Sequence, residues 1–489
     1  MKFLSCFFPL FLLLWLDGPA QVITTEQVFP VEGYSVFEMG YPMKVARGRS
    51  NRFAYLEYWP EGKEGRRISN YYLQSYGTRD YVEHWFKPVT NEGFEGMQVK
   101  DLLRLERCYA VVGRQFVEED RLVHTVCRFF ALDGKSKSSE PVKLSTYEKK
   151  QKKSFFDTTL VSNSQKALLW MGTNGREVYA ATWNESGNKI WNKNLEIPFL
   201  ENRYKIKEVT VDDEANPWFL LEPELAGPGK PLILTKYMHE KEEFYTEQIV
   251  VPGAESLIHT HMALMKGGQI AVAGVMASNT GVGFKNGGKF KNTSSANFLN
   301  GMFIRYYEQK KISSPELEIV SDKISPIPGR WLKRYEEEGA NFSLSRLMIA
   351  EKQAILMLEE HYSSRKKLYF YDVACMGFDL ASGDIIWNQI IKKRQRDTHS
   401  DAFMSYVAGI ARGKLRIIYL TERGATGQLL CTSIDLASGA RKDKMLASNE
   451  EAKYLFFPHR SGMVSNYDMV LIGRGNPSQN DYKLISIAF

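Results

Sequence analysis

Three stretches of the chain share the pattern that decides its fold. Residues 179–191 read YAATWNESGNKIW, residues 375–387 read CMGFDLASGDIIW, and residues 431–443 read CTSIDLASGARKD. In each, an apolar alternating segment ends in Ser-Gly, and the first two copies place a Trp four residues after the glycine. Glycine tolerates the positive φ of a tight reversal, and a Trp on the returning strand covers a sheet face. Each copy therefore predicts a β-hairpin.

The spacing of these hairpins indicates a repeat protein. Their glycines are Gly187, Gly383 and Gly439, which gives steps of 196 and 56 residues, and residues 130–134 hold a weaker copy. A step of 196 equals four steps of 49, and a repeat of about 50 residues is typical of a four-stranded propeller blade. We therefore predict an all-β fold with very little helix: a single β-propeller of about seven blades, with six to eight allowed, each an antiparallel four-stranded sheet. A pair of sandwiches or a β-helix is the alternative.

The rest of the chain supports one long domain over residues 21–489. Short apolar runs such as 53–58, 166–170 and 415–419 are bounded by turn formers and predict strands. Residues 331–338 are the best helix candidate, and residues 281–300 and 313–341 are predicted to be inserted loops. We also expect a strand from residues 22–37 to complete the last blade.

The N-terminus predicts export. Lys2 precedes an apolar run over residues 3–16, and a breaker with small residues ends at Ala20. This is the layout of a signal peptide over residues 1–20, cleaved after Ala20. No later run is apolar for eighteen residues, so we expect no integral membrane segment.

Four cysteines would remain after cleavage. Cys108 and Cys127 flank a predicted turn, so a disulfide between them is compatible with the sequence but not required. Cys375 and Cys431 occupy equivalent places in two repeat copies and are interpreted as small buried residues.

Charge and motifs exclude several classes of function. The formal net charge is +7, and the two basic runs, residues 149–153 and 392–396, are interpreted as solvated loops rather than as a site for nucleic acid or anionic lipid. The chain lacks GxSxG, HExxH and P-loop motifs. His259 and His261 share one strand face by alternation but lack a third ligand nearby. Residues 212–216 have calcium-loop composition without EF-hand spacing. We predict no metal and no cofactor. Glu359 and Glu360, as strand neighbours, are expected to point to opposite faces.

Several patterns resemble a family of exported propeller proteins from Bacteroidetes-type bacteria, most of them without an assigned function. They are residues 378–387 followed by 390–395 and Ser405-Tyr406, residues 209–216 ahead of a strand over 218–221, and residues 271–274 with 301–303. The Ala20-Gln21 junction is also similar. The resemblance implies a periplasmic or outer-membrane-associated protein. Lys393, Gln395 and Tyr406 lie in the most family-like stretch and are the candidate binding residues. The competing interpretation is a blade-linking loop whose side chains bond to the backbone.

The sequence favours binding over catalysis. We expect an exported binding or scaffold propeller of the cell envelope, a monomer outside any complex, whose partner is another envelope protein and not nucleic acid. The alternative is an enzyme acting on glycans or peptides, or a sugar-binding module, with a site at the propeller axis. An exposed aromatic patch on one face would support the first, and an axial pocket with perturbed carboxylates the second.

Overall fold

A computed structural model describes residues 27–28 and 41–489. The segments within this range that are left out are 49–51, 64–65, 78–82, 91–93, 95–96, 118–121, 138–141, 149–155, 174–176, 201–202, 225–229, 252–255, 266–268, 279–297, 310–316, 326–341, 365–366, 398–403, 423–426, 449–454 and 475–481. The predicted signal peptide, the helix candidate at 331–338 and most of the loop at 281–300 lie outside the described residues. In the described part of the chain, every named element is a β-strand.

The strands form eight antiparallel sheets, and seven of them are built from strands consecutive in the chain. Within each of these blades the strands pair in chain order from the innermost to the outermost. Strand β1 (Gln27–Val28) belongs to blade 8. Blade 1 contains β2 (Tyr41–Arg47), β3 (Arg52–Lys63), β4 (Arg66–Gly77) and β5 (Glu83–Pro88), and blade 2 contains β6 (Gln98–Arg104), β7 (Cys108–Val117), β8 (Leu122–Ala131) and β9 (Val142–Glu148). Blades 3 and 4 contain β10 (Phe156–Val161), β11 (Ala167–Thr173), β12 (Val178–Asn184), β13 (Lys189–Leu195), β14 (Tyr204–Val211), β15 (Pro217–Pro223), β16 (Leu232–Met238) and β17 (Glu243–Ile249).

The second half of the ring follows the same plan, with one extra strand in blade 6. Blade 5 contains β18 (Ser256–Leu264), β19 (Ile270–Ser278), β20 (Phe298–Gln309) and β21 (Leu317–Ser325). Blade 6 contains β22 (Phe342–Ala350), β23 (Gln353–Ser364), β24 (Lys367–Asp379) and β25 (Ile385–Ile391), and the extra strand β26 (Gln395–Asp397) pairs with β24. Blade 7 contains β27 (Tyr406–Ala411), β28 (Lys414–Leu420), β29 (Gln428–Asp435) and β30 (Arg441–Ser448).

Blade 8 joins the two ends of the described chain. It contains β31 (Leu455–Phe456), β32 (Gly462–Met463), β33 (Asp468–Arg474) and β34 (Tyr482–Ala488), and its outermost strand is β1 (Gln27–Val28), which pairs antiparallel with β34. Innermost strands of successive blades contact one another, and β2 contacts β32, so the sheets close into a ring. The prediction that a strand near the N-terminus completes the last blade is therefore confirmed at residues 27–28, and the rest of the predicted range 22–37 lies outside the described residues.

Removing this closing strand tests its role. A chain starting at residue 41 should lose cooperative unfolding, because the outer edge of blade 8 is left unpaired and the ring is held only by side-chain contacts at its seam. Circular dichroism and tryptophan fluorescence melts should broaden and cease to coincide. An intact, coincident melt would contradict the prediction.

The eight-bladed propeller confirms the predicted class and lies within the predicted range of blades. The number of blades predicted between two of the repeat glycines was wrong. Gly187 and Gly383 belong to blades 3 and 6, so their 196-residue separation spans three blades and not four. Long segments inserted in and after blade 5 imitate a fourth repeat. The predicted insertion at 313–341 also includes the strand β21. Its sequence does not alternate clearly, because six of its nine residues are exposed and only Ser321 and Ser325 are buried.

The repeat glycines have the conformation that the sequence requires. Gly134, Gly187, Gly383 and Gly439 all have positive φ, and each lies in the turn between the third and fourth strands of its blade. Each turn also packs on the preceding blade. An added Cβ would lie 2.7 Å from Trp85 at Gly134 and 2.9 Å from Phe129 at Gly187, and would overlap Trp387 at Gly439. The repeat therefore encodes contacts between blades as well as a turn.

The Trp residues on the fourth strands of three blades make the same kind of contact with the next blade, which explains why Trp recurs at this place in the repeat. Trp85 and Trp387, on the fourth strands of blades 1 and 6, donate Nε1–H to the backbone oxygens of Leu132 and Leu436, at 3.2 and 2.8 Å. Both acceptors lie in the third-to-fourth-strand turn of the next blade. Trp191 donates similarly to Ala215 of blade 4, at 3.1 Å. Each Trp thus covers its own sheet, as predicted, and also binds the neighbouring blade.

All four described cysteines are buried and free. Cys108 pairs with Ala131 in the register of blade 2, and Cys127 pairs with Val112, so the two cysteines are not opposite each other. Cys375 and Cys431 lie on the third strands of blades 6 and 7 and are buried, as predicted.

Candidate functional site

The two ends of the propeller differ in the length of their hairpins. One end, here called the turn face, carries the tight turns from first to second and from third to fourth strands. The other, here called the hairpin face, carries the hairpins joining the second and third strands and the linkers between blades. In blades 3, 4, 7 and 8 the hairpin strands have seven or eight residues. In blades 1, 2, 5 and 6 they have nine to thirteen.

In blades 1 and 6 the longer hairpins extend beyond the four-stranded sheet. In blade 1, the innermost strand pairs only as far as Tyr58 and the outermost only as far as Tyr72, so residues 59–63 and 66–70 pair with each other alone. In blade 6, residues 361–364 pair with the start of β24, and β26 pairs with that same extension. In ring order, blades 1 and 2 lie opposite blades 5 and 6. Two pairs of long hairpins therefore stand on opposite sides of the axis.

The candidate residues Lys393 and Gln395 lie where blade 6 meets blade 7, on this hairpin face. The Lys393 side chain is 0% exposed, and its Nζ lies 2.6 Å from Oε1 of Glu359, which is 5% exposed. Burial lowers the pKa of Lys393, and the charges of Glu359 and Glu360 oppose that shift. The prediction that the run at 392–396 is a solvated loop is wrong for Lys393 and Gln395, because their side chains are buried, whereas Lys392, Arg394 and Arg396 are exposed.

Gln395 connects the same cluster to the backbone of blade 7. Its Nε2 donates to the carbonyls of Leu420 and Ser405, at 2.9 and 3.2 Å, and its Oε1 accepts from the Ser405 amide at 2.6 Å. Ser405 has a φ of 81° and donates its hydroxyl to Oε2 of Glu359 at 2.7 Å. The side chain and backbone bonds together hold Ser405 in this left-handed conformation, which costs a non-glycine residue about 1–2 kcal/mol.

Tyr406 lies apart from this polar cluster. It begins β27, is 8% exposed, and packs in the apolar core between blades 6 and 7 with Leu415, Ile417 and Tyr419. None of the three candidates presents its side chain at the surface. The geometry is that of the competing interpretation, in which a blade-linking segment is fixed by side-chain bonds to the backbone.

Glu359 and Glu360 do not alternate as expected. The pairing of β23 with β24 shifts between Glu359 and His361, so a β-bulge breaks the period of two at Glu360. Both carboxylates are buried, each 4% exposed, and both act on Lys393. A bulge is not visible in sequence, which is why this part of the cluster was missed.

Bulges also organise the innermost strands. The first strand shifts register against the second in blades 1, 2, 4, 5 and 6. The residue that follows each shift is ionisable, and these residues are Lys44, Asp101, Glu208, His261 and Arg346. A bulge re-aims a side chain, and here it directs charged groups toward a neighbouring blade. The register shift in blade 5 falls between Ile258 and His261, and the side chain of His259 lies outside the described residues.

These charged groups pair around the axis. Lys44 of blade 1 binds Asp101 of blade 2, and Glu208 of blade 4 lies 3.3 Å from His261 Nδ1 of blade 5. Asp157 of blade 3 is held by Lys100 and Arg114 of blade 2. Burial disfavours the ionised form of Asp157, but the hydrogen bonds from these two cations outweigh it, so its pKa is lowered. Among the described residues of the innermost strands, Asp101, Asp157 and Glu208 are therefore engaged in bonds between blades.

The calcium-like stretch at 212–216 is a structural turn. Asp212 is 2% exposed, its Oδ2 lies 2.9 Å from Lys236 Nζ, and its Oδ1 accepts from the Asn216 amide at 2.8 Å. Lys236 also lies over the ring of Trp218, at 4.8 Å. The carboxylate of Asp212 thus neutralises the buried ammonium group of Lys236, and this ion pair explains why an acidic residue stands in the turn.

Exposed apolar side chains do not gather on either face. Among the described residues, the large exposed ones lie mainly on fourth strands, around the circumference; examples are Phe86, Ile190, Ile319, Ile386 and Met445. Single exposed apolar residues are normal at protein surfaces. Within the described part of the chain, no helix is long and apolar enough to cross a membrane.

Comparisons with known proteins add the fold alone. No protein-family model matches the chain, and no curated protein matches it. Among solved structures, it is similar to a prolyl endopeptidase (9% identity, TM-score 0.44), covering 90% of this chain and 55% of that one. It is also similar to the Dos1 propeller (9%, 0.43, covering 92% and 93%) and to the WD40 domain of SCAP from fission yeast (8%, 0.40, covering 94% and 98%). The chain thus spans about half the length of the prolyl endopeptidase. The class defined by fold and site is an eight-bladed β-propeller with one elaborated face.

Proposed function

We propose that this protein is a binding or scaffold propeller of the bacterial cell envelope, which holds a protein partner on its hairpin face. The observation that carries the proposal is the asymmetry of the two faces. In the described part of the chain, strands of ten or more residues are all second or third strands, and they belong to two opposed pairs of blades. In blade 1 the hairpin end lies outside the four-stranded sheet, because residues 59–63 and 66–70 pair only with each other. Loops displayed on a rigid scaffold commonly carry binding function.

Export and an envelope location belong to the same proposal. They rest on the signal-peptide layout of residues 1–20 and on the resemblance to exported propellers. A rigid ring closed on itself suits a partner-holding role, since a preorganised surface loses little conformational freedom on binding.

The test combines affinity capture with a shortened hairpin. The tagged mature protein, residues 21–489, is used to capture partners from its native envelope, and captured proteins are quantified by mass spectrometry. In the variant, Asn-Gly replaces residues 59–70, so that Tyr58 and Tyr71, which already pair, flank a two-residue turn. We expect a stoichiometric envelope protein with the unaltered chain and at least a tenfold loss with the variant (about 1.4 kcal/mol).

The matched control carries Lys166→Gln, Lys189→Gln and Lys352→Gln, three exposed residues at turns of the opposite face. It should retain the partner fully. Circular dichroism and melting of both variants confirm folding. Absence of any stoichiometric protein partner, or equal capture by the shortened variant, would overturn the proposal. Binding of a soluble glycan or peptide instead would support the alternative function at the axis.

A further inference from the structure

The basic segment 392–396 is a strand-like element with two distinct sides. Lys393 and Gln395 are buried, whereas Lys392, Arg394 and Arg396 are exposed. The alternation is that of an extended chain, whose side chains point to opposite sides in turn. One side therefore faces the junction of blades 6 and 7, and the other side presents three cations to solvent.

The inward side fixes the position of this segment. Lys393 is bound to Glu359, and Gln395 is bound to the backbones of Ser405 and Leu420. The backbone is held as well: the Lys393 amide donates to Asp372 at 3.2 Å, and the Arg394 amide donates to the carbonyl of Thr421 at 2.6 Å. Outward side chains on such a backbone start from a defined place, which lowers the entropy lost when a partner binds.

No ion pair within the described part of the chain neutralises the outward cations, although Arg394 forms a β-bridge with Glu422 and Asp397 follows Arg396. None of Lys392, Arg394 and Arg396 forms an ion pair with any residue in the described part of the chain. This differs from the innermost strands, where cations such as Lys44 and Lys100 are bound to carboxylates of the next blade. An ordered and unneutralised cation row on a protein surface attracts a complementary negative charge.

We propose that Lys392, Arg394 and Arg396 form a docking strip for an acidic, extended segment of the protein partner. This inference rests on the proposed function, since the strip lies on the hairpin face beside the extension of blade 6. Alternate residues of an extended chain are about 6.4–6.8 Å apart, so alternate carboxylates of an extended peptide match the strip in spacing. Guanidinium groups bind carboxylates through two parallel hydrogen bonds, which adds specificity at Arg394 and Arg396.

A peptide is favoured over a membrane or a nucleic acid because the strip is one residue wide. A membrane surface or a nucleic acid backbone engages several basic residues spread over a broad area, and single-stranded nucleic acid adds stacking on aromatic side chains. The large exposed aromatic residues of the described chain, Phe86, Phe116, Tyr179 and Tyr467, lie in blades other than 6 and 7. Tyr369, which pairs with Arg396, is half-buried.

The test measures binding of a defined probe to the whole mature protein. The probe is a fluorescent twelve-residue peptide of alternating Glu and Ser, and the control peptide has Gln in place of Glu. Anisotropy titrations compare the unaltered protein with the variant Lys392→Gln, Arg394→Gln, Arg396→Gln. The control is the turn-face variant Lys166→Gln, Lys189→Gln, Lys352→Gln, which changes net charge equally. We expect the strip variant to bind the acidic peptide about tenfold or more weakly, and the control within about twofold.

Other outcomes would contradict the proposal that these residues form a docking strip. They include equal weakening by the two variants, equal binding of the Gln peptide, and strip-dependent binding of phosphatidylserine vesicles or of a twenty-residue oligo(dT) without binding of the acidic peptide. Envelope capture with the strip variant separates this inference from the proposed function. If the strip variant retains the partner but the variant with the shortened hairpin of blade 1 loses it, the docking-strip proposal is contradicted and the proposed binding function of the hairpin face still holds.

Discussion

Replacing Lys393 by Met should destabilise the protein by about 3–5 kcal/mol, because it leaves Glu359 charged and buried without its cation. The two side chains are 0% and 5% exposed, and their 2.6 Å contact lies at the junction of blades 6 and 7. Met has a similar length and removes the charge without leaving a large cavity. Guanidinium denaturation followed by tryptophan fluorescence should therefore show a lower midpoint than the unaltered protein shows.

A second substitution separates the charge from the packing. In Lys393→Met with Glu359→Gln, the carboxylate that contacts Lys393 is gone, Glu360 remains as the second carboxylate that acts on this position, and the amide oxygen still accepts from the Ser405 hydroxyl. We expect this pair to recover most of the loss, to within about 2 kcal/mol of the unaltered protein. A single substitution that costs under about 1 kcal/mol would show that the cluster does not hold the two blades together.

Trp387→Ala should cost a comparable amount, about 3–5 kcal/mol, through the loss of a large buried side chain. Trp387 is 5% exposed, lies against Gly377 of its own blade and Gly439 of the next, and donates to Leu436 at 2.8 Å. A cavity would open on both sides of it, since neither glycine has a side chain to fill the space. Equilibrium denaturation is the measurement.

Two controls on the same strand give this prediction its sharpness. Trp387→Phe keeps an aromatic ring between the glycines and loses the N–H donor, and it should cost clearly less than Trp387→Ala. Ile386→Ala changes an exposed neighbour, 39% accessible, and should remain within about 0.5 kcal/mol of the unaltered protein. If Trp387→Ala resembled Ile386→Ala, the indole would not connect the blades.

The fold was predictable because its signals are local. The turn glycines need positive φ whatever surrounds them, and all four of those identified have it. The alternation of short strands likewise reports burial within a single hairpin. The number of blades is less accessible, because it depends on inserted lengths between blades. The 196-residue step from Gly187 to Gly383 was divided by the wrong integer for that reason.

The sequence selected the segment that holds Lys393 and Gln395, but it could not show which side chains of that segment face inward. Lys393 and Gln395 are buried, and the exposed positions are their neighbours. The side that faces inward is decided by Glu359 and Ser405, which lie far away in the chain. A single uncharged residue, Gln395, within a row of cations is the one local signal of an inward position. The bulge at Glu360 left no signal at all.

The seam in blade 8 has a consequence for how the ring assembles. β1 and β34 pair residues from opposite ends of the described chain, Gln27 with Leu484 and Val28 with Lys483. The entropy of closing such a long loop grows only with the logarithm of its length, about 0.6 kcal/mol for each doubling, so equilibrium stability tolerates the distance well. The rate is affected more, since contacts between distant residues slow folding. Seven blades form from strands that are neighbours in the chain, so we expect the pairing of β1 with β34 in the eighth blade to be the last step of folding.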